Sequence, residues 1–352
     1  MRVLFASLRF DYGDPSRGDS FEYENLWDAL RRTDGIDARF FGTDEQSVAR
    51  GQEGMNTELL RVASEWQPDL VFCFLLRDEL HPETLAALRE IDGVTTLNWF
   101  ADDHWRFQDF SRHWAPRFDW VVTTDARAVP RYASIGLNQV IHSQWAASHH
   151  VYRPTGATRD IDVSFVGQPY GKRRELVEAL QAAGVEVETW GHGWERGRLG
   201  QQELVDVFSR SKISLNFAAS SPRYSARYMA AQFARRRAGV PVPRFGELRA
   251  NATQLRDAYR PQLKARNFEI AACGALLLTE RVDQLDAYYR VGEEAVTFRG
   301  GRDLVAKAQQ YLADDEQRTR IAAAGADRTL REHTYEHRFG AILSRIGLQP
   351  RR

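Results

Sequence analysis

The sequence predicts an α/β protein of two domains, each built on a doubly wound parallel sheet. Short runs rich in Val, Leu, Ile and Phe alternate with amphipathic stretches along the whole chain. This alternation implies right-handed crossovers and sheets that are covered on both faces. The 352 residues suit two domains of ordinary size. With 43% hydrophobic and 27% charged residues, the chain has the composition of a folded protein with sizeable cores.

The first half contains six candidate strands with helical patterns between them. Apolar runs of four to six residues favour buried strands, and apolar residues at helical spacing favour the helices. We predict strands at 3–7, 38–42, 70–75, 94–99, 120–124 and 139–142, and helices at 22–32, 57–65, 82–91 and 126–132.

A polar stretch with Pro and Gly interrupts this alternation at 146–160 and predicts a linker between domains. The domains would then span 1–147 and 160–334, with 335–352 as a terminal helical segment. Facing domains of this kind bind ligands in the cleft beyond the carboxyl ends of their strands. After the linker we predict strands at 161–166, 185–190, 213–217, 275–279 and 295–298, and helices at 173–183, 202–209, 263–273, 302–312, 316–324 and 335–346.

Charge and cysteine content exclude several classes of protein. The formal net charge is zero, so no field of the whole chain recruits nucleic acid or an anionic membrane. Cys73 and Cys273 lie in apolar runs, which favours two buried thiols in a reducing cytosol over a disulfide between them. No run reaches the roughly 18 apolar residues of a membrane span. We therefore expect a cytoplasmic protein, and peripheral contact with a membrane stays open.

An arginine-rich insert at 218–260 interrupts the second domain. It holds nine arginines between 223 and 260 against two acidic residues, Glu247 and Asp257. One interpretation is a helical hairpin with a solvated charged face. The other is a lid or platform that attracts an anionic acceptor, because the guanidinium fork matches phosphate and carboxylate geometry.

The segment 263–280 is the strongest candidate for a binding site. It predicts a helix that ends at Gly274 and is followed at once by a buried strand. Lys264, Arg266 and Glu269 lie near the helix start, where the cations and free N–H groups suit a diphosphate and the carboxylate suits vicinal hydroxyls. The alternative is an ordinary helix with a surface Arg–Glu pair.

Three motifs in the second half of the chain resemble the C-terminal domain of the CgeB-like glycosyltransferases of the GT-B superfamily. They are FEIAACGALLLTE, EEAVTF and REHTYEHRF. The residues that carry the resemblance are Arg266, Phe268, Glu269, Ala272, Cys273, Gly274 and Thr279.

This resemblance implies a GT-B fold and a metal-independent transfer of sugar from a nucleoside-diphosphate donor, with no cofactor. It also implies that Glu269 holds the donor ribose, that Arg266 and Lys264 hold the diphosphate, and that the terminal helix crosses back to the N-terminal domain. Many retaining relatives carry another glutamate eight positions before the one that corresponds to Glu269. Here that position is Pro261, so the stereochemical outcome stays open.

Other strand ends point to the same edge of the second sheet. The loop after 161–166 contains Gly167, Lys172 and Arg173, an arrangement suited to an anion, although it lacks the ending of a P-loop. His192 and Asn216 follow two further strands and complete the predicted donor side with Thr279. A plain turn with solvated basic residues is the alternative.

The acceptor side is predicted in the first domain. NWFADDHWRF places Asp102, Asp103 and His104 after a strand, where one of them would act on the acceptor hydroxyl. Trp105 offers a flat face for a sugar, and helix capping by an aspartate is the alternative. We do not interpret this aspartate pair as a metal motif. Further acceptor-side candidates in the loop after the first strand are Asp11, Asp14 and Glu22.

The function predicted from these sites is a glycosyltransferase with a nucleotide-sugar donor and an unidentified hydroxyl acceptor. Two alternatives stay open on the same fold: an epimerase of sugar nucleotides, and a non-catalytic module that binds them. Pro261 favours the module. The sequence leaves the oligomeric state open.

Overall fold

A computed structural model describes residues 1–218, 234–237, 240–243 and 248–350. Within it the chain forms two compact units. The first comprises 1–144 and 338–350 together with the described residues between 234 and 258, and the second comprises 145–218 and 259–337. This grouping differs from the predicted domains, because the helix at 248–258 groups with the first unit and not with the second.

The first unit contains a six-stranded sheet in the order β2-β1-β3-β4-β5-β6, in which all neighbouring strands are parallel. The six predicted strands and four predicted helices of this half are confirmed, with shifted ends. The strands are β1 Arg2–Ser7, β2 Asp37–Gly42, β3 Leu70–Cys73, β4 Thr95–Phe100, β5 Trp120–Thr123 and β6 Val140–His142; the helices are α1 Asp28–Arg32, α2 Thr43–Trp66, α3 Pro82–Arg89, α4 Asp103–Arg106, α5 Arg112–Trp114 and α6 Ala128–Ala133.

The second unit contains a five-stranded parallel sheet in the order β13-β12-β9-β7-β8. The strands and helices predicted in this half are also confirmed. The strands are β7 Ile161–Val166, β8 Val187–Trp190, β9 Ser211–Asn216, β12 Leu276–Glu280 and β13 Val296–Phe298; the helices are α7 Arg173–Ala182, α8 Gln201–Arg210, α10 Ala265–Ala272, α11 Gly300–Ala313, α12 Asp315–Glu332 and α13 Tyr335–Arg345.

Apolar side chains cover both faces of each sheet, as expected for parallel strands. In the first unit Phe5, Phe72 and Trp99 are buried on neighbouring strands, with ring centroids 5.1 Å apart for the first two and 6.4 Å for the last two. In the second unit Phe165 and Phe217 pack at 4.5 Å on one face, and Phe268 packs on the other.

The described part of the arginine-rich insert is not the helical hairpin that one interpretation predicted. It contains an antiparallel strand pair, β10 Ala234–Arg237 and β11 Val240–Pro243, followed by helix α9 Leu248–Ala258. Gln254 of α9 accepts the backbone N–H of Gln108 at 2.7 Å and donates to Asp109 at 3.0 Å, which ties this helix to the first unit. Residues 219–233, 238–239 and 244–247 lie outside the described part, including the arginines at 223, 227 and 244.

Both cysteines are free and buried, as predicted. Cys73 lies in the first unit and Cys273 in the second, and burial raises the pKa of each thiol. In the part of the chain that the structure describes, no helix has the length and apolar character that crossing a membrane requires.

Candidate functional site

The carboxyl ends of β7, β8, β9 and β12 meet at one edge of the second sheet. The strand register places Val166 beside Trp190, Phe165 beside Leu215, and Asn216 beside Thr279. The loops after these strands carry most of the predicted donor-side residues. The sheet therefore brings together side chains that are separated by more than 100 positions in the sequence.

A buried amide network holds the start of α10 at this edge. Asn216 donates to Asn267 at 3.0 Å and to Thr279 at 3.1 Å, and Asn267 donates to Thr279 at 3.1 Å. The Asn267 oxygen also accepts the backbone N–H of Lys264, at 3.1 Å. Asn216 and Thr279 were predicted to bind the donor, but in this structure the Asn216 amide N–H groups and the Thr279 hydroxyl oxygen are occupied in positioning α10.

Arg266 and Glu269 form an ion pair in which only the arginine side chain is accessible to solvent. The Arg266 Nη1 lies 2.7 Å from the Glu269 carboxylate, and the two side chains are 28% and 3% exposed. Burial raises the pKa of Glu269, whereas the Arg266 charge and a Tyr152 hydrogen bond oppose that rise. The Arg–Glu pair that the alternative predicted is therefore present, but it is not a surface pair, because the carboxylate lies inside the unit and orients the guanidinium at the surface.

The loops after β7 and β8 are locked together through their backbones. Gly191 has φ +130°, and a Cβ atom there would lie 2.5 Å from the carbonyl oxygen of Gly167. That oxygen accepts the indole N–H of Trp194 at 2.7 Å. Because no side chain fits at 191, glycine is required for this close approach.

Arg173 completes the cationic surface at this edge. Its guanidinium donates to the carbonyl oxygens of Phe217 at 2.8 Å and Gln168 at 3.2 Å, and its Cζ lies 3.9 Å from the centroid of the Tyr170 ring. Burial lowers the pKa of this guanidinium, and the positive charge of Arg266 acts in the same direction. Lys172 and His192 are exposed in the loops nearby.

Gly274 does not belong with these residues. It follows the C-terminus of α10 with φ +77° and donates its N–H to Ala271 at 2.8 Å. Because α10 begins at the carboxyl edge of the sheet, its other end lies at the amino edge, roughly 12 Å away for eight residues. The prediction that Gly274 contacts the donor is therefore corrected: it terminates the helix.

Asp103 and His104 of the first unit also depart from expectation. Asp103 is 0% exposed and His104 is 2% exposed. The Asp103 carboxylate accepts the hydroxyls of Thr123 at 2.5 Å and Tyr132 at 2.8 Å, and burial raises its pKa to about 6. Both side chains serve the core of this unit in the structure, which leaves Asp102 as the accessible member of the predicted group.

Asp102 precedes α4 without capping it through its side chain, so the capping alternative is wrong for this residue. The negative charge of its carboxylate instead affects two titratable side chains in the segment after β1, Tyr12 and Glu22. Burial raises the pKa of Glu22 to about 7, and Asp11 and Asp102 push it in the same direction. Burial is also the largest cause that raises the pKa of Tyr12, and the charges of the same two aspartates raise it further. The structure thus gathers three predicted acceptor-side carboxylates around Tyr12.

Asp14 does not join this group. Its carboxylate accepts the backbone N–H and the hydroxyl of Ser16, at 3.0 and 2.7 Å, and it caps the short turn Pro15–Arg17. These hydrogen bonds lower the pKa of Asp14. The side chain is exposed and acts on the conformation of the loop.

Two adjoining pockets lie in the first unit. One, of about 360 Å³, is lined by Tyr12 and Asp44 among others, and the second, of about 320 Å³, is lined by Trp105. Arg77 and Asp78 line both. The sequence had selected Trp105 but not the charged turn 77–79 or Asp44. The signal for the turn is a charged triplet directly after the apolar run 70–76.

The comparisons with known proteins agree with this architecture. Residues 172–344 match the family described as glycosyl transferase-like. Spore protein CgeB of Bacillus subtilis (strain 168) is 22% identical over 285 residues, which cover 79% of this chain and 83% of that protein. The resemblance to CgeB-like glycosyltransferases is thereby confirmed.

Solved structures show that the chain has the GT-B fold. HepE of Anabaena in complex with UDP-glucose matches with a TM-score of 0.61 and 10% identity, over 99% of each chain. A sucrose-phosphate synthase from Thermosynechococcus elongatus matches with a TM-score of 0.58 and 12% identity, over 99% of this chain and 97% of that one. At these identities the likeness concerns the fold.

Within the glycosyl transferase-like domain, sequence reasoning missed Asn267. Its signal was an amide side chain three positions after a helix start, where it can bond back to the first backbone N–H. Among the described residues, one group of three side chains is arranged to hold a metal ion, His149, His150 and Glu336. It includes none of the predicted site residues.

Proposed function

We propose that the chain transfers a sugar from a nucleoside-diphosphate donor to an acceptor hydroxyl, with the donor at the carboxyl edge of the second sheet. The observation that carries the proposal is the meeting of Arg173 and Arg266 at that edge, beside the start of α10. The UDP-glucose complex of HepE makes uridine diphosphate sugars the first donors to test.

The cations supply the main catalytic effect in this proposal. When the bond to the sugar breaks, negative charge develops on the leaving diphosphate, and fixed cations stabilise it without reorganisation. Arg266 is held by Glu269 and Arg173 by two carbonyl oxygens, so both guanidiniums are oriented before the donor binds. Lys264 and Lys172 add charge at the starts of α10 and α7. These groups take the place of a metal ion, and the reaction is proposed to need none.

Glu269 has two roles in the proposal. One oxygen holds Arg266, and the carboxylate serves the ribose hydroxyls of the donor. Because the side chain is only 3% exposed, donor binding must open access to it. A carboxylate that serves both groups would couple recognition of the nucleoside to the position of the diphosphate.

The proton of the acceptor hydroxyl is proposed to pass to Glu22 in the first unit. A carboxyl group with a pKa of about 7 is suited to proton transfer near neutral pH. Burial is the main cause of that raised pKa, and the charges of Asp11 and Asp102 add to it. Both aspartates stay acceptor-side candidates. The adjoining pockets that Tyr12 and Trp105 line are the proposed place of the acceptor.

The test is binding and turnover with Arg266→Ala and Glu269→Gln, in the presence and absence of EDTA. Arg266→Ala should weaken binding of a nucleoside diphosphate by about 1.5–3 kcal/mol, the range for a hydrogen bond to a charged group, and of the free nucleoside far less. Glu269→Gln should weaken both. Arg320→Ala, an exposed arginine of α12, serves as the matched control.

Equal losses for nucleoside and diphosphate in Arg266→Ala would contradict the phosphate role, and a requirement for metal would contradict the proposed chemistry.

A second function, a non-catalytic module that binds nucleotide sugars, is favoured by Pro261 at the position of the second glutamate. Tight binding of a sugar nucleotide, with no release of nucleoside diphosphate in any acceptor mixture, would support the module.

A further inference from the structure

Two distant segments bring three metal-ligating side chains together in the second unit. The Nε2 atoms of His149 and His150 lie 3.6 and 3.2 Å from one carboxylate oxygen of Glu336. The ligand atoms of the three residues all lie within 4.8 Å of one another. The histidines precede the second sheet and Glu336 lies in the first turn of α13. The cluster therefore spans 186 sequence positions between His150 and Glu336.

His149 has no hydrogen-bond partner in this cluster. Its Nδ1 atom is buried without a partner among the described residues, and its Nε2 atom, at 3.6 Å, is beyond hydrogen-bond distance from Glu336. The two imidazole rings lie with centroids 4.0 Å apart. A buried imidazole nitrogen without a partner, as Nδ1 is here, is uncommon because buried polar groups are ordinarily satisfied.

The separations fit a metal ion placed among the three side chains. Metal–ligand bonds of 2.0–2.2 Å in a tetrahedral site put ligand atoms about 3.4 Å apart. The two distances to the Glu336 oxygen lie on either side of that value. Two imidazoles and a carboxylate suit Zn²⁺, Co²⁺ or Ni²⁺, whereas Mg²⁺ prefers oxygen ligands.

We propose that His149, His150 and Glu336 bind one divalent transition metal ion of the Zn²⁺ class, with water in the fourth position. The role of the ion is to tie the segment before β7 to the start of α13. These segments already pair, since Ala147 donates its N–H to His333 at 3.1 Å and accepts that of Tyr335 at 3.2 Å. They also lie beside 144/145 and 337/338, two of the positions where the chain passes from one unit to the other.

This inference does not depend on the proposed function. The residues that would handle donor and acceptor are elsewhere in the sequence, and the ion has no step in sugar transfer. Because it would close a long loop of the chain, binding is expected to favour the folded form.

The experiment uses the untagged, chelator-treated full chain. Zn²⁺ is titrated by calorimetry and by thermal unfolding, with Mg²⁺ as the comparison ion. His149→Ala, His150→Ala and Glu336→Gln are compared with His113→Ala, which removes an exposed histidine of the first unit. Circular dichroism and the metal-free Tm show that each variant is folded.

We expect one Zn²⁺ per chain, a rise in Tm with Zn²⁺ and none with Mg²⁺. Each ligand variant should raise the Kd for Zn²⁺ by about tenfold or more, since even residues behind the ligands change metal affinity by 10–100-fold. His113→Ala should bind as the parent chain does. Co²⁺ in the unmodified protein should show the visible absorption of a four-coordinate site. Absence of saturable Zn²⁺ binding, or equal Kd values in the parent chain and all three ligand variants, would overturn the proposal.

Discussion

Replacing Asp103 with asparagine is expected to preserve turnover and to make the free energy of unfolding less dependent on pH. The carboxylate is wholly buried and accepts hydroxyls from Thr123 and Tyr132. An asparagine oxygen can accept the same two hydrogen bonds with no charge. The variant therefore separates the position of the side chain from its ionisation.

The magnitude follows from the pKa of Asp103. Burial raises it from 3.8 to about 6 in the folded protein, and each pKa unit corresponds to about 1.4 kcal/mol. A raised pKa in the folded state means that stability is fully present below about pH 4 and is lost as pH rises through about 6. The free energy of unfolding therefore loses about 3 kcal/mol over this range through Asp103 alone.

The assay is urea unfolding of both proteins between about pH 4 and pH 7, followed by tryptophan fluorescence. The difference in unfolding free energy should move by about 3 kcal/mol in favour of the variant as pH rises, because other titrating groups cancel in the comparison. Tyr132→Phe is the companion variant, since it removes a hydrogen bond to the ionised form and should enlarge the loss with pH. A difference that stays constant with pH would refute the buried ionisation. A loss of turnover of about 100-fold at equal stability would return Asp103 to the catalytic group.

Two further predictions concern Glu22 and Gly191. Glu22→Gln should lower kcat/KM by about 10²–10⁴ and abolish the rise of activity through about pH 7 that deprotonation of this base gives the parent chain; an unchanged pH–rate profile would contradict the proposed proton acceptor. Gly191→Ala should destabilise the second unit by about 3 kcal/mol or more, because its Cβ would lie only 2.5 Å from the Gly167 oxygen and φ +130° adds backbone strain. The matched control is Gly197→Ala, where φ is +69° but nothing lies within 4 Å, so only the strain of about 1 kcal/mol is expected. Thermal unfolding measures both, and equal Tm losses in the two variants would refute the packing argument.

Much of the fold was predictable because it follows from local pattern. Apolar runs such as those at 70–75 and 161–166 contain strands, at 70–73 and 161–166, and the helices between the strands follow apolar periodicity. The secondary structure of the arginine-rich insert was harder to predict. Its composition suggested charged helices, whereas 234–237 and 240–243 pair as strands, because strand pairing depends on a partner segment that composition does not reveal.

Candidate site residues were predictable only as far as their place in the chain. A residue at the end of a parallel strand lies at the carboxyl edge, but the direction of its side chain depends on what packs around it. Asp102 and Asp103 are sequence neighbours, yet one acts on the loop after β1 and the other is enclosed by Thr123 and Tyr132. Gly274 matched a motif, but the length of α10 carries it to the opposite edge.

The sequence by itself determined the class of fold, the alternation of strands and helices and the resemblance to CgeB-like glycosyltransferases, since these depend on periodicity and on motifs that are contiguous in the chain. Only the tertiary structure decided which polar groups are available. It buried Glu269 beside Arg266, enclosed Asp103 and His104, and gathered Asp11, Glu22 and Asp102 around Tyr12. It also joined His149 and His150 to Glu336 across 186 residues. The physical reason is that burial, pKa and ligand geometry are set by neighbours in space, and those neighbours come from segments far apart in the chain.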